Sequence, residues 1–71
     1  MKFTNHALLR MQQRGIDESS VASAILNPDE VGDSFGRRKL ARKPIGDKTF
    51  EVVYIKEDDI IVITVYWLEE T

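Results

Sequence analysis

The residues best placed to do chemistry lie in "NHALLRMQQRG" (5–15), where the chain's only histidine, His6, precedes Arg10 and Arg14 by four and eight residues. On a helix, side chains at i and i+4 stand one above the other, so these three form a single polar stripe with Gln13 beside it. An imidazole changes charge near neutral pH, and cleavage of RNA without a metal needs such a proton carrier together with cations that stabilise the phosphorane. His6 with Arg10 or Arg14 supplies both. Glu51, Tyr54 or Tyr66 could supply the second proton function, to the leaving oxygen. The same stripe also reads as a solvated helix flank, with His6 bonded locally in the first turn and Arg14 a surface cation near a helix C-terminus.

A second set of cations lies in "GRRKLARKPIGDK" (36–48), which holds six of the ten basic residues and one acid, Asp47. Arg37, Arg38, Lys39, Arg42 and Lys43 are the candidate phosphate contacts, with Arg14 added from the first stripe. The net charge is −2, with acids gathered at Asp17/Glu18, Asp29/Glu30, Glu57/Asp58/Asp59 and Glu69/Glu70. A local basic patch on an acidic protein can still hold a phosphodiester backbone, because screening confines such interactions to about 10 Å. Lysine and arginine along an edge strand are equally a protection against aggregation. Tyr66, of opposite parity to Trp67, is the aromatic open to base stacking.

Most other chemistries are excluded. With no cysteine and one histidine there is neither a disulfide nor a thiolate or zinc site, and no metal or cofactor is expected. No phosphate-binding glycine loop, G-x-S-x-G or H-E-x-x-H occurs, and Ser19, Ser20 and Ser23 have no second histidine with which to build a triad. "MKFTNHALLRM" is too polar for a signal peptide or membrane span, which points to a cytoplasmic protein. Seventy-one residues make one domain, 1–71, with a small core.

The elements that must position these groups follow from caps and periodicity. A first helix is predicted from Thr4 or Asn5 to Arg14, ending at Gly15, with Ala7, Leu8 and Met11 on its buried face and Leu9 facing away. "DESSVASAILNP" reads as a second helix capped by Asp17 and stopped by Asn27-Pro28, burying Val21, Ala22, Ile25 and Leu26. Four strands follow: "EVGDSF", "RKLARKPI" with Pro44 marking an edge or bulge, "TFEVVYIK" and "DIIVITVYWL". Gly46-Asp47 is a hairpin turn. The fold class is α+β, with two N-terminal helices packed on one face of a four-stranded antiparallel sheet, ααββββ. Pairing Ile55 with Ile60 places Phe50, Val52, Tyr54, Ile61, Ile63, Val65 and Trp67 toward the helices. It leaves Glu51, Val53, Ile55, Ile60, Val62, Thr64 and Tyr66 on the other face, and one residue of slip would exchange the two.

"HALLRMQQRGI", then "SSVASAILNPDEV", "KPIG", "FEVVYI" and "IIVITVYW" resemble a small family of uncharacterised bacterial domains with the motif H-x-x-x-R-M-x-x-R-G-I. That family is similar to the RelE/ParE-like and BrnT-like toxins of the barnase-like ribonuclease superfamily, and the likeness covers nearly the whole chain. It implies a metal-independent endoribonuclease of a toxin–antitoxin system, with an antitoxin protein as partner. Carried over by residue, it points to His6, Arg10, Arg14, Lys43 and Tyr66. The catalytic candidates are therefore His6, Arg10 and Tyr66, acting on single-stranded or loop RNA. A different class stays open: a non-catalytic protein- or RNA-binding module, using the basic edge strand and Leu9, with a homodimer through that strand as one form.

Overall fold

Thr4 takes extended backbone and its hydroxyl accepts from the Ala7 amide, so α1 (Asn5–Arg14) begins one residue later. Gly15 closes it in the left-handed conformation, φ 66°, which a residue without Cβ adopts at no steric cost. Asp17 caps α2 (Glu18–Leu26) by accepting from the Ser20 amide at 2.8 Å. Both helices end where the sequence says they should.

The computed structural model describes residues 1–69, so Glu70 of the acidic Glu69/Glu70 pair and Thr71 lie outside the described residues. The sheet corrects the expected class. It has five strands and is mixed: β1 (Lys2–Phe3), β2 (Glu30–Asp33), β3 (Lys39–Ile45), β4 (Lys48–Lys56) and β5 (Ile60–Trp67), in the order β1-β5-β4-β3-β2. The additional strand, β1, runs parallel to β5, setting Lys2 beside Ile61 and Phe3 beside Val62. Two residues are too few to carry a period-two pattern, and only the partner strand defines them.

Both helices pack on one face. Ala7 and Met11 of α1 and Val21 and Ala24 of α2 join Ala41, Phe50, Val52, Tyr54, Val62 and Val65 in a single core. Leu8 and Leu26, expected inside, are 42% and 75% exposed. α1 lies against β5, so its covered sector is narrow, and α2 turns the small Ala24 inward instead of Leu26.

β5 carries an extra residue. Val53 faces Thr64 and Tyr54 faces Val62, leaving Ile63 bulged between them. The bulge exchanges the two faces in the first half of β5: Ile60 and Val62 pack toward the helices, where Ile61 and Ile63 were expected. Ile55 accordingly pairs with Ile61, not Ile60.

Over Lys39–Arg42 the basic strand is not an edge. β3 lies between β2 and β4, and the sheet ends at β2, whose sequence EVGD is acidic. For a homodimer through a basic edge strand, only the Lys43–Ile45 end of β3 lacks a second neighbouring strand among the described residues. Pro44 lies past the end of β2, where β3 has only β4 as its neighbour, so its missing N–H breaks no ladder.

Candidate active site on the uncovered sheet face

The face of the sheet without helices is organised in cross-strand rungs. In one rung Glu30, Arg42, Glu51 and Tyr66 stand directly opposite one another on β2, β3, β4 and β5. In the next, Gly32, Leu40, Val53 and Thr64 do the same. Directly opposed side chains are near enough to interact, so register alone brings these groups together.

Glu51 is the centre of the first rung. It is 3% exposed although no helix covers it, because its neighbours close over it. One carboxylate oxygen accepts from Arg42 Nε at 2.6 Å, and the other accepts from the Tyr66 hydroxyl. A buried carboxylate is tolerable only when paired in this way. Arg42 also has Glu30 at 4.0 Å. The hydrogen bond to Glu51, followed by the charges of Glu51 and Glu30, holds the Arg42 guanidinium above its ordinary range. Its positive charge is a fixture of the site.

The second rung is extended by the helix stripe. His6 is exposed, and its Nε2 shares a hydrogen bond of 3.1 Å with Thr64 Oγ1, the ring tautomer deciding which atom donates. Two anchors fix this meeting. At the start of α1, Thr4 donates from its hydroxyl to the bulged Ile63 carbonyl at 3.0 Å and from its amide to Val62 at 3.1 Å. At the far end, Trp67 Nε1 donates to the Arg14 carbonyl at 3.1 Å. α1 thus runs beside β5 in the same direction. One helical turn from His6 to Arg10 rises about 6 Å, and two strand residues from Thr64 to Tyr66 about 7 Å. Arg10 therefore stands at the level of Tyr66, where its Nη1 donates to Gln13 Oε1 at 2.8 Å.

The structure sets His6 against Thr64, two residues along β5 from Tyr66, leaves Arg10 bonded to Gln13, and disperses the basic stretch. Lys39 and Lys43 have the opposite parity to Arg42, and Lys43 donates to the Asn27 carbonyl behind α2 at 2.8 Å. Lys39 lies 3.6 Å from Asp33 and Arg37 lies 3.7 Å from Glu57. Arg38 is exposed and has no ion pair among the described residues. Arg14 is half-buried near the end of β5. The six basic residues thus form no continuous patch.

Sequence reasoning had Glu51, Thr64 and Tyr66 on one face. It missed the burial of Glu51 and its pairing with Arg42. The signal was present: a lone acid inside an otherwise apolar central strand needs a cation opposite it. Among the described residues no group of three His, Cys, Asp or Glu could hold a metal ion, and no helix is long and apolar enough to cross a membrane.

A family model described as a domain of unknown function (DUF4258) matches residues 3–67. No curated protein and no solved structure matches the chain.

Proposed function

The chain belongs to the DUF4258 family, and we propose from its site geometry that it is a metal-independent endoribonuclease of the toxin type, working on the uncovered face of its sheet. The observation that carries this reading is the junction of helix stripe and sheet rungs. An exposed imidazole bonds Thr64, a helix arginine lies one turn from it, and two residues along β5 from Thr64 a tyrosine hydroxyl is held by a buried glutamate–arginine pair.

RNA lying across the two rungs presents a 2′-hydroxyl to His6, whose neutral ring takes the proton as that oxygen attacks phosphorus. Arg10 balances the charge that grows on the phosphorane. The 5′-oxygen leaves with a proton from the Tyr66 hydroxyl, and the imidazolium returns its proton through solvent to the tyrosine. The products are a 2′,3′-cyclic phosphate and a 5′-hydroxyl. Glu51 and Arg42 act as positioning residues, fixing where the phenol points. Single-stranded or loop RNA fits best, since an open sheet face accepts splayed bases. In this reading the cellular partner is a neutralising antitoxin protein.

The test is cleavage of a structured RNA in excess EDTA by wild type, His6→Ala, Arg10→Ala and Tyr66→Phe. The expected result is cyclic-phosphate ends with the wild type and a loss of at least about a hundredfold in His6→Ala. Intact RNA with the wild type, or equal cleavage by His6→Ala, overturns it. One observation favours a non-catalytic binding module instead: Arg42, Glu51 and Tyr66 already satisfy one another. A wild type that retains RNA and leaves it uncut would establish that second reading.

A further inference from the structure

β2 is the outermost strand at one side of the sheet, and all four of its residues are exposed. Its hydrogen-bond phase can be read from the loop beyond it. Ser34 donates its amide to the Arg38 carbonyl at 2.8 Å, so Ser34, Gly32 and Glu30 turn their backbone groups toward β3. Val31 and Asp33 therefore turn their N–H and C=O groups outward, to an edge with no further strand beside it among the described residues.

Three further features surround that edge. Val31 is 69% exposed and Phe35, just past the strand, is 88% exposed, which leaves two large apolar side chains outside the core. A cavity of about 130 Å³, the size of one side chain, opens on the uncovered face between Glu30, Val31, Gly32, Leu40 and Arg42. It exists because Gly32 has no side chain, and a Cβ built there would meet nothing within 4 Å. β2 itself carries acids on both faces of the sheet: Glu30 and Asp33 differ in parity and keep 65% and 86% of their side chains exposed, with the cations Arg42 and Lys39 one strand inward at 4.0 and 3.6 Å.

We propose that the β2 edge receives an extended segment of a partner protein by strand addition, and that this segment is basic, alternating lysine or arginine with apolar residues. Main-chain bonds to Val31 and Asp33 would hold it. A lysine or arginine opposite Gly32 lays its aliphatic stem across the glycine onto Leu40 and brings its charged head to Glu30. The charge pattern selects the occupant. A second copy of β2 would bring two more acids to a strand that already carries two, and a phosphodiester backbone would add negative charge to the same edge. Short, charged edges discourage indiscriminate pairing. Here the protection is of one sign, so it leaves a cationic strand admissible. The proposal does not depend on catalysis at the His6 surface.

The test uses the whole protein, isotope-labelled, with a short capped peptide alternating valine and lysine, and the same peptide with glutamate for lysine. The lysine peptide is expected to shift the β2 amides and slow exchange at Val31 and Asp33. The glutamate peptide should bind at least about tenfold more weakly. Gly32→Val fills the cavity with a residue that strands favour, and should weaken the lysine peptide while the rest of the spectrum keeps its pattern. Four results overturn the proposal: unchanged β2 amides, equal binding of the two peptides, an oligouridine that shifts the same amides, or a dimer that protects Val31 and Asp33 without peptide.

Discussion

The two faces of this sheet are built from alternate residues of the same strands, and β4 uses them in opposite ways. Toward the helices it turns Phe50, Val52 and Tyr54, which meet α1, α2 and the core side of β5. Toward the open side it turns Glu51, Val53 and Ile55, where no helix comes. Glu51 and Val53 are nonetheless as buried as many core residues, at 3% and 6% exposed. On the first face water is excluded by another layer of structure. On the second it is excluded by the side chains themselves, with Arg42 and Tyr66 folded over the glutamate.

The comparison can be broken most strongly on the covered face. Phe50 is fully buried and meets Trp67 edge-on at 6.0 Å. Phe50→Ala should lose about 3–5 kcal/mol, a large part of the roughly 5–15 kcal/mol that holds a domain together. Urea denaturation followed by tryptophan fluorescence would measure it, and a midpoint near that of the wild type would show that the core lies elsewhere.

The uncovered face should respond less, and in a way that separates stability from chemistry. Glu51→Ala leaves Arg42 and Tyr66 without their shared acceptor and should destabilise by about 1–3 kcal/mol. The combined replacement Arg42→Met, Glu51→Leu and Tyr66→Phe should fold as well as the wild type or better, since apolar packing commonly equals a buried ion pair. RNA cleavage by that variant should vanish. A triple variant that is both unstable and active would reverse the roles given to the two faces.

The smallest effect belongs to the seat of α2. The Asp17 carboxylate is held below its usual range, chiefly by its hydrogen bonds from Ser20. Its contribution is therefore complete above the unfolded value of about 4 and is lost as pH falls through the folded one. The melting temperatures of wild type and Asp17→Ala should differ at neutral pH and converge in acid. A gap that stayed constant down to low pH would detach the cap from this titration.

Much of the covered face was legible in the sequence, because local rules set it. Thr4, Gly15, Asp17 and Asn27-Pro28 each announce a helix boundary by their own backbone preferences. The β-branched runs of β4 and β5 announce strands. What escaped was set between elements. β1 is too short to have a pattern, and the bulge at Ile63 reversed the faces of Ile60 to Ile63 without any mark in composition. For the candidate site, the stripe and the outward parity of Tyr66 could be read from spacing. The pairing of Arg42 with Glu51 depends on the register of β3 against β4, which no single strand encodes.

The bulge at Ile63 has a meaning for chain length. A helix and a strand lying side by side are two rulers with different graduations, and Thr4 pins their common zero to the carbonyls of Val62 and Ile63. From that zero, His6 falls beside Thr64, and Arg10 comes one helical turn further on. A relative that gained or lost one residue between Thr4 and His6, or between Ile63 and Thr64, would keep both rulers and lose their alignment, by about 1.5 Å on the helix or 3.4 Å on the strand. In this stretch a change in the number of residues would disturb the site more than a change in their kind.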